Sequence, residues 1–129
     1  MTVLQRIAYV EDEPDIQEVA RLALELVGGF TVALFSSGQE AVDGMAAFRP
    51  QLILLDVMMP GMDGPSTLSR LREQESLRDV PAVFMTAKVQ THEVAHYKTL
   101  GAMGVIAKPF DPMTLAQELR TIWERCHEQ

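Results

Sequence analysis

The chain has 129 residues, 47% of them hydrophobic, with 11 basic against 18 acidic side chains and a formal charge of -7. That length suits one domain whose core needs neither disulfide nor structural metal, and the hydrophobic share excludes disorder. The acidic balance argues against a broad nucleic-acid-binding face, and the single Cys126 excludes an intramolecular disulfide and a cysteine metal cluster. No apolar run reaches membrane-spanning length, and Met1 to Gln5 lacks the pattern of a secretion signal, so the expectation is a cytoplasmic protein with no membrane contact and no direct nucleic-acid partner.

Arg6 to Val10 (RIAYV) is a short apolar run cut off by Glu11, Asp12, Glu13, Pro14 and Asp15, the pattern of a first strand ending in an acidic loop. Pro14 suits the first turn of a helix, with Ile16, Val19, Ala20, Ala23, Leu24 and Val27 at helical spacing, and Gly28 with Gly29 stops it. Phe30 to Phe35 (FTVALF) reads as the second strand. Ser37 with Glu40 three residues on is a capping-box pattern, opening a helix whose apolar side is Ala41, Val42, Met45, Ala46 and Phe48 and which Pro50 closes.

Leu52 to Asp56 (LILLD) follows, too short for a helix and apolar enough to be buried on both faces, and it ends on a carboxylate. Met58 to Gly64 is turn-rich, and Pro65 starts a helix that buries Leu68 and Leu71. Ala82 to Thr86 (AVFMT) is a fourth strand, Thr91 to Leu100 a less apolar helix, and Gly104 to Ala107 (GVIA) a fifth strand followed at once by Lys108, Pro109 and Phe110. The last helix is expected from about Pro112 to Cys126, with Asp111 as N-cap and Leu115, Leu119, Ile122 and Trp123 spaced to pack. Five strand and helix alternations predict a (βα)5 doubly wound parallel sheet with helices on both faces.

In such a sheet the strand ends share one edge, where open α/β folds bind ligands. That edge receives Glu11 and Asp12, Asp56, Thr86 and Lys108. Singly, each has an ordinary reading as a solvated loop, a turn or a surface charge; four strand ends coinciding point to a site. Crowded carboxylates either raise a pKa or hold a cation, and an all-oxygen set with few protein ligands favours magnesium over calcium. A cation, an ammonium and a hydroxyl around one carboxylate are what phosphoryl transfer to that carboxylate requires, which makes Asp56 the candidate nucleophile.

VEDEP at Val10 to Pro14, LLDVMMPGMDG at Leu54 to Gly64, MTA at Met85 to Ala87 and KPF at Lys108 to Phe110, in this order, resemble a CheY-like response-regulator receiver domain of bacterial two-component signalling. The resemblance implies the flavodoxin-like strand order 2-1-3-4-5 and one receiver domain over residues 1–129, core about 5–125, with no output domain. It implies that Asp56 accepts phosphate from a sensor histidine kinase or phosphotransfer protein in a Mg2+-dependent reaction. Asp12 would ligate the metal directly, Glu11 through water, and the Met58 backbone carbonyl would complete the set with Asp56. Thr86 would bond the phosphoryl group, Ala87 leave it access and Lys108 pair with it, after which a cis Lys108–Pro109 peptide is expected. Such a protein is a switch, catalysing only its own phosphorylation and dephosphorylation, and would offer a downstream protein the face of the fourth helix, fifth strand and fifth helix.

The pattern departs from the family's at Glu11, where aspartate is commoner, and at Val105, where an aromatic usually reports phosphorylation. Relay of a Thr86 movement by the helix from Thr91 to Leu100 is the expected substitute. Met58 and Lys88 cannot orient hydrolytic water, which predicts a phosphate lifetime of minutes or longer. Ala102 and Met103 replace acidic residues of a salt-bridged dimer, so a monomer or weak homodimer is expected. His92 and His96, four apart, read as a solvated face. Three alternatives remain. An aspartyl-nucleophile phosphatase or phosphotransferase would need an acid where Met58 stands, a flavodoxin-like cofactor binder would not carry EDEPD in its first loop, and a pseudo-receiver interaction module would not need the acids with Thr86 and Lys108.

Overall fold

A computed structural model describes residues 3–126. Met1 and Thr2, the start of the segment read for a secretion signal, and residues 127–129 lie outside the described residues. The elements are β1 (Arg6–Val10), α1 (Pro14–Leu22), β2 (Thr31–Phe35), α2 (Gly38–Phe48), β3 (Leu52–Asp56), α3 (Gly64–Arg72), β4 (Ala82–Thr86), α4 (Thr91–Thr99), β5 (Gly104–Ala107) and α5 (Leu115–Cys126). The five strands form one parallel sheet in the order β2-β1-β3-β4-β5, as expected. Among the described residues, no helix is long and apolar enough to cross a membrane.

Alternation along each strand divides the core into two layers. Ile7, Tyr9, Leu52, Leu54, Val83 and Met85 pack against Leu24, Leu119 and Trp123 on one face. Ala8, Val10, Ile53, Leu55 and Phe84 pack against Met45, Leu68, Leu71 and Tyr97 on the other. All five residues of β3 and of β4 are buried, so their apolar runs are the sequence of strands covered on both sides.

Three local expectations are corrected. Leu22 leads into a π-helical turn, Ala23–Val27, in which the Gly28 N–H reaches the Ala23 carbonyl at 3.1 Å. Ala20, Ala23 and Leu24 are buried, whereas Val19 and Val27 are 44% and 47% exposed. Phe30 lies between this turn and β2, which starts at Thr31, and its N–H is turned back onto the Leu24 carbonyl at 3.0 Å. The last helix starts three residues later than expected. The Asp111 carboxylate first accepts the Met113 N–H at 2.8 Å, and its carbonyl accepts those of Thr114 and Leu115, closing a turn ahead of α5.

Helix starts otherwise follow the sequence. The Ser37 hydroxyl accepts the Glu40 N–H at 3.1 Å to cap α2, and Asp63 caps α3 by accepting the Ser66 N–H at 2.8 Å. α2 ends on Arg49 in the left-handed region (φ 57°), an unusual place for a side chain and unmarked by any glycine.

Candidate functional site

β1, β3, β4 and β5 deliver their ends to one edge. The Glu11 N–H continues the β1 to β2 pairing by one bond, to the Phe35 carbonyl at 3.0 Å, which fixes the glutamate directly above the sheet, fully buried. Asp56, the last residue of β3, is 2% exposed and lies in register with Met85. The Lys108 N–H bonds the Thr86 carbonyl at 2.9 Å, so β5 feeds the lysine over the same edge, and the Lys108–Pro109 peptide is cis.

The ammonium of Lys108 bridges the two buried acids, 2.9 Å from Glu11 Oε1 and 3.2 Å from Asp56 Oδ1. Oxygens of Glu11, the half-buried Asp12 and Asp56 lie within 4.8 Å of one another. Three carboxylates against one ammonium leave two negative charges when all are ionised, the charge of one divalent cation, and the donors are all hard oxygens. The residues therefore fit a hard divalent ion. Among the described residues no other cluster of this kind occurs, and the exposed His92 and His96 join none.

Burial pushes the Asp56 carboxyl up to about 6, the Glu11 charge pushes the same way, and Lys108 pulls against both. Burial works to lower the Lys108 ammonium, but the hydrogen bond and charge of Glu11, with Asp56, more than offset it, and its pKa is raised. The Asp56 carboxylate is thus kept short of full stabilisation. A single ammonium is shared between two anions.

The Thr86 hydroxyl is buried and accepts the Lys88 N–H at 3.1 Å, tying the strand end to the loop that follows. Ala87 is exposed and, with Ile16, Val19, Lys108, Pro109 and Phe110, lines a groove of about 440 Å³ beside the acids. Met58 follows Asp56 by two residues with its side chain 66% exposed. Val105 is half-buried in a second groove of about 370 Å³, between Val94 and Lys98 of α4 and Ile122 and Arg125 of α5.

Two residues of the site escaped the sequence reading. Tyr9, taken there as one apolar member of RIAYV, is fully buried and donates its hydroxyl to Glu11 Oε1 at 3.1 Å. Its position two residues before Glu11, on the same strand face, was the available signal. Gly64 starts α3 with its N–H on the Val57 carbonyl at 2.9 Å, and a Cβ there would collide with the Asp56 carbonyl oxygen. The glycine lets the loop fold back onto the end of β3.

The chain belongs to the response regulator receiver domain family, whose defining sequence pattern matches residues 7–120. Receiver domains are phosphoacceptor switches rather than enzymes acting on a separate substrate, and the acidic cluster with its fold gives this chain that character. It is 34% identical over 119 residues to the transcriptional regulatory protein CseB of Streptomyces coelicolor, covering 92% of this chain and 49% of that protein. Among solved structures it resembles the Vibrio cholerae chemotaxis protein CheY4, with a TM-score of 0.84, 27% identity, and coverage of 93% of this chain and 99% of that one. It also resembles the receiver domain of a signal transduction histidine kinase from Syntrophus aciditrophicus, with a TM-score of 0.79, 30% identity, and coverage of 97% and 94%. The chain spans about half the length of the curated relatives it matches.

Proposed function

We propose that Asp56 is the phosphoacceptor and that it takes its phosphoryl group from the phosphohistidine of a sensor histidine kinase or phosphotransfer protein. The observation that carries this reading is the Lys108 ammonium held 2.9 Å from Glu11 and 3.2 Å from Asp56 at an edge that also gathers Asp12. An Asp56 oxygen attacks phosphorus, the P–N bond breaks, and its electron pair returns to the imidazole nitrogen, leaving an acyl phosphate. Lys108 follows the charge that moves onto the phosphoryl oxygens, the Thr86 hydroxyl donates to one of them, and Ala87 leaves the approach open. Asp12, Asp56, the Met58 carbonyl and, through water, Glu11 would hold a magnesium ion, which supplies positive charge to the same oxygens when bound.

The donor reaches Asp56 past the groove of Ile16, Val19 and Phe110, an apolar surface beside the charged edge. The output is a changed protein-binding surface on α4, β5 and α5. There Val105, standing where the family resemblance implies a rotating aromatic, leaves a groove flanked by Lys98 and Arg125, so the signal travels from Thr86 through the loop to α4.

Incubation with acetyl phosphate, with and without magnesium, and intact-mass measurement tests this reading. One phosphoryl group is expected in magnesium only and none in Asp56→Asn; loading that ignores magnesium or persists in that variant contradicts it.

A further inference from the structure

We infer that Tyr9 is a positioning residue for the magnesium site, holding Glu11 so that its carboxylate stays grouped with Asp12 and Asp56. The inference rests on the reading of these acids as the metal-holding part of the phosphoacceptor site. Tyr9 and Glu11 lie two apart on an extended chain, so their side chains share one face of the sheet. The tyrosine is fully buried in the layer beneath α1 and α5, and its hydroxyl emerges at the carboxyl edge, 3.1 Å from Glu11 Oε1.

Glutamate has one more rotatable bond than aspartate, and on a strand end that freedom has to be removed if the carboxylate is to meet its neighbours. Two donors remove it, both on Oε1: the Tyr9 hydroxyl and, at 2.9 Å, the Lys108 ammonium. Oε2 receives the longer bond from the Glu13 N–H, at 3.3 Å. Lys108 is shared with Asp56 and is drawn to the phosphoryl group during transfer; Tyr9, fixed in the core, is the donor that serves Glu11 throughout. Such partners behind a metal-holding carboxylate are commonly worth ten- to a hundredfold in affinity.

Calorimetric titration with magnesium alone, on the full chain, tests this. Tyr9→Phe keeps the ring and loses the hydroxyl, and is expected to weaken magnesium binding about tenfold. The magnesium concentration giving half-maximal loading from acetyl phosphate should rise by the same factor, while the rate at saturating magnesium holds. In Glu11→Asp protein, where the carboxylate is one methylene short of the hydroxyl, adding Tyr9→Phe should change nothing. Equal losses in both backgrounds, or no loss in either, would overturn the inference and leave Tyr9 a packing residue. A second measurement leaves Tyr9 intact: with Tyr97→Phe it is the sole tyrosine, and its resonance Raman bands should respond as magnesium draws on the shared carboxylate. Silence while calorimetry registers binding also overturns it. If the unsubstituted protein neither binds magnesium nor takes phosphate, the parent reading fails and this one with it; if it does both and the Tyr9 tests fail, only Tyr9's role is lost.

Discussion

The two edges of the sheet solve opposite problems with the same backbone. At the amino edge, Gln51 Oε1 accepts the N–H groups of Gln5 at 2.7 Å and Arg6 at 2.8 Å, and its amide nitrogen donates to the Val3 carbonyl at 3.1 Å. Arg6 donates to the Phe48 and Arg49 carbonyls and covers the Phe48 ring at 4.1 Å. Donors there meet neutral acceptors, and β1, β3 and the end of α2 are locked together. At the carboxyl edge three acids crowd together, and one ammonium bridges the two of them that are buried. One edge is electrostatically complete and holds the fold. The other is left incomplete, and its unmet charge is what a cation and a phosphoryl group can answer.

The comparison breaks first at Asp56. Asp56→Asn should abolish loading and, unlike most buried substitutions, raise the melting temperature at pH 7. The sign follows from its pKa, raised to about 6: the ionised carboxylate is disfavoured in the fold, a penalty absent below the ordinary carboxylate range and full above about 6. The gain from Asp56→Asn should therefore shrink as pH falls towards 4. Melting curves of both proteins across that range check it, and a destabilised Asn variant at pH 7 contradicts it.

Lys108→Met should slow loading by about a hundredfold or more, the usual effect of removing a preorganised charge partner. It should also move the Asp56 titration above its value in the unsubstituted protein, because the group pulling it down is gone. Carboxyl-carbon NMR without metal reads both proteins: a midpoint near 6 is expected for Asp56 and one near 4 would show a solvated, ordinary aspartate. The smallest effect on chemistry belongs to the other edge. Gln51→Ala gives up three hydrogen bonds and should destabilise the fold by about 1–3 kcal/mol while loading proceeds at its normal rate. A loading defect there would mean the edges are coupled.

Much of this was legible in the residues. The apolar runs ending in charge gave the strands, since a strand covered on both faces has little choice but to be continuously apolar, and Pro14, Ser37 and Pro65 marked helix starts through local chemistry. The convergence of Lys108 on Glu11, 97 residues away, followed from parallel topology alone. What escaped was set by tertiary contact. The π-helical turn at Ala23–Val27 leaves no mark in a spacing pattern built on 3.6 residues, and Arg49 takes a left-handed conformation without the glycine that would announce it. Tyr9 escaped because a tyrosine in an apolar strand reads as bulk, and its hydroxyl acquires meaning only when Glu11 stands at the strand end beside it. Thr86 was correctly brought to the edge, yet its hydroxyl turns to Lys88, a local turn that strand patterning does not reveal.

The most direct test of the central claim traps the acyl phosphate. Protein loaded from acetyl phosphate in magnesium is reduced with borohydride, which converts a phosphorylated aspartate to homoserine, and the peptides are sequenced by mass spectrometry. Homoserine at position 56, and only with magnesium, is the expected product; homoserine at Asp12 or another aspartate, the longer amino alcohol at Glu11, or no reduced residue in a protein shown to be folded, contradicts the assignment of Asp56 as the acceptor.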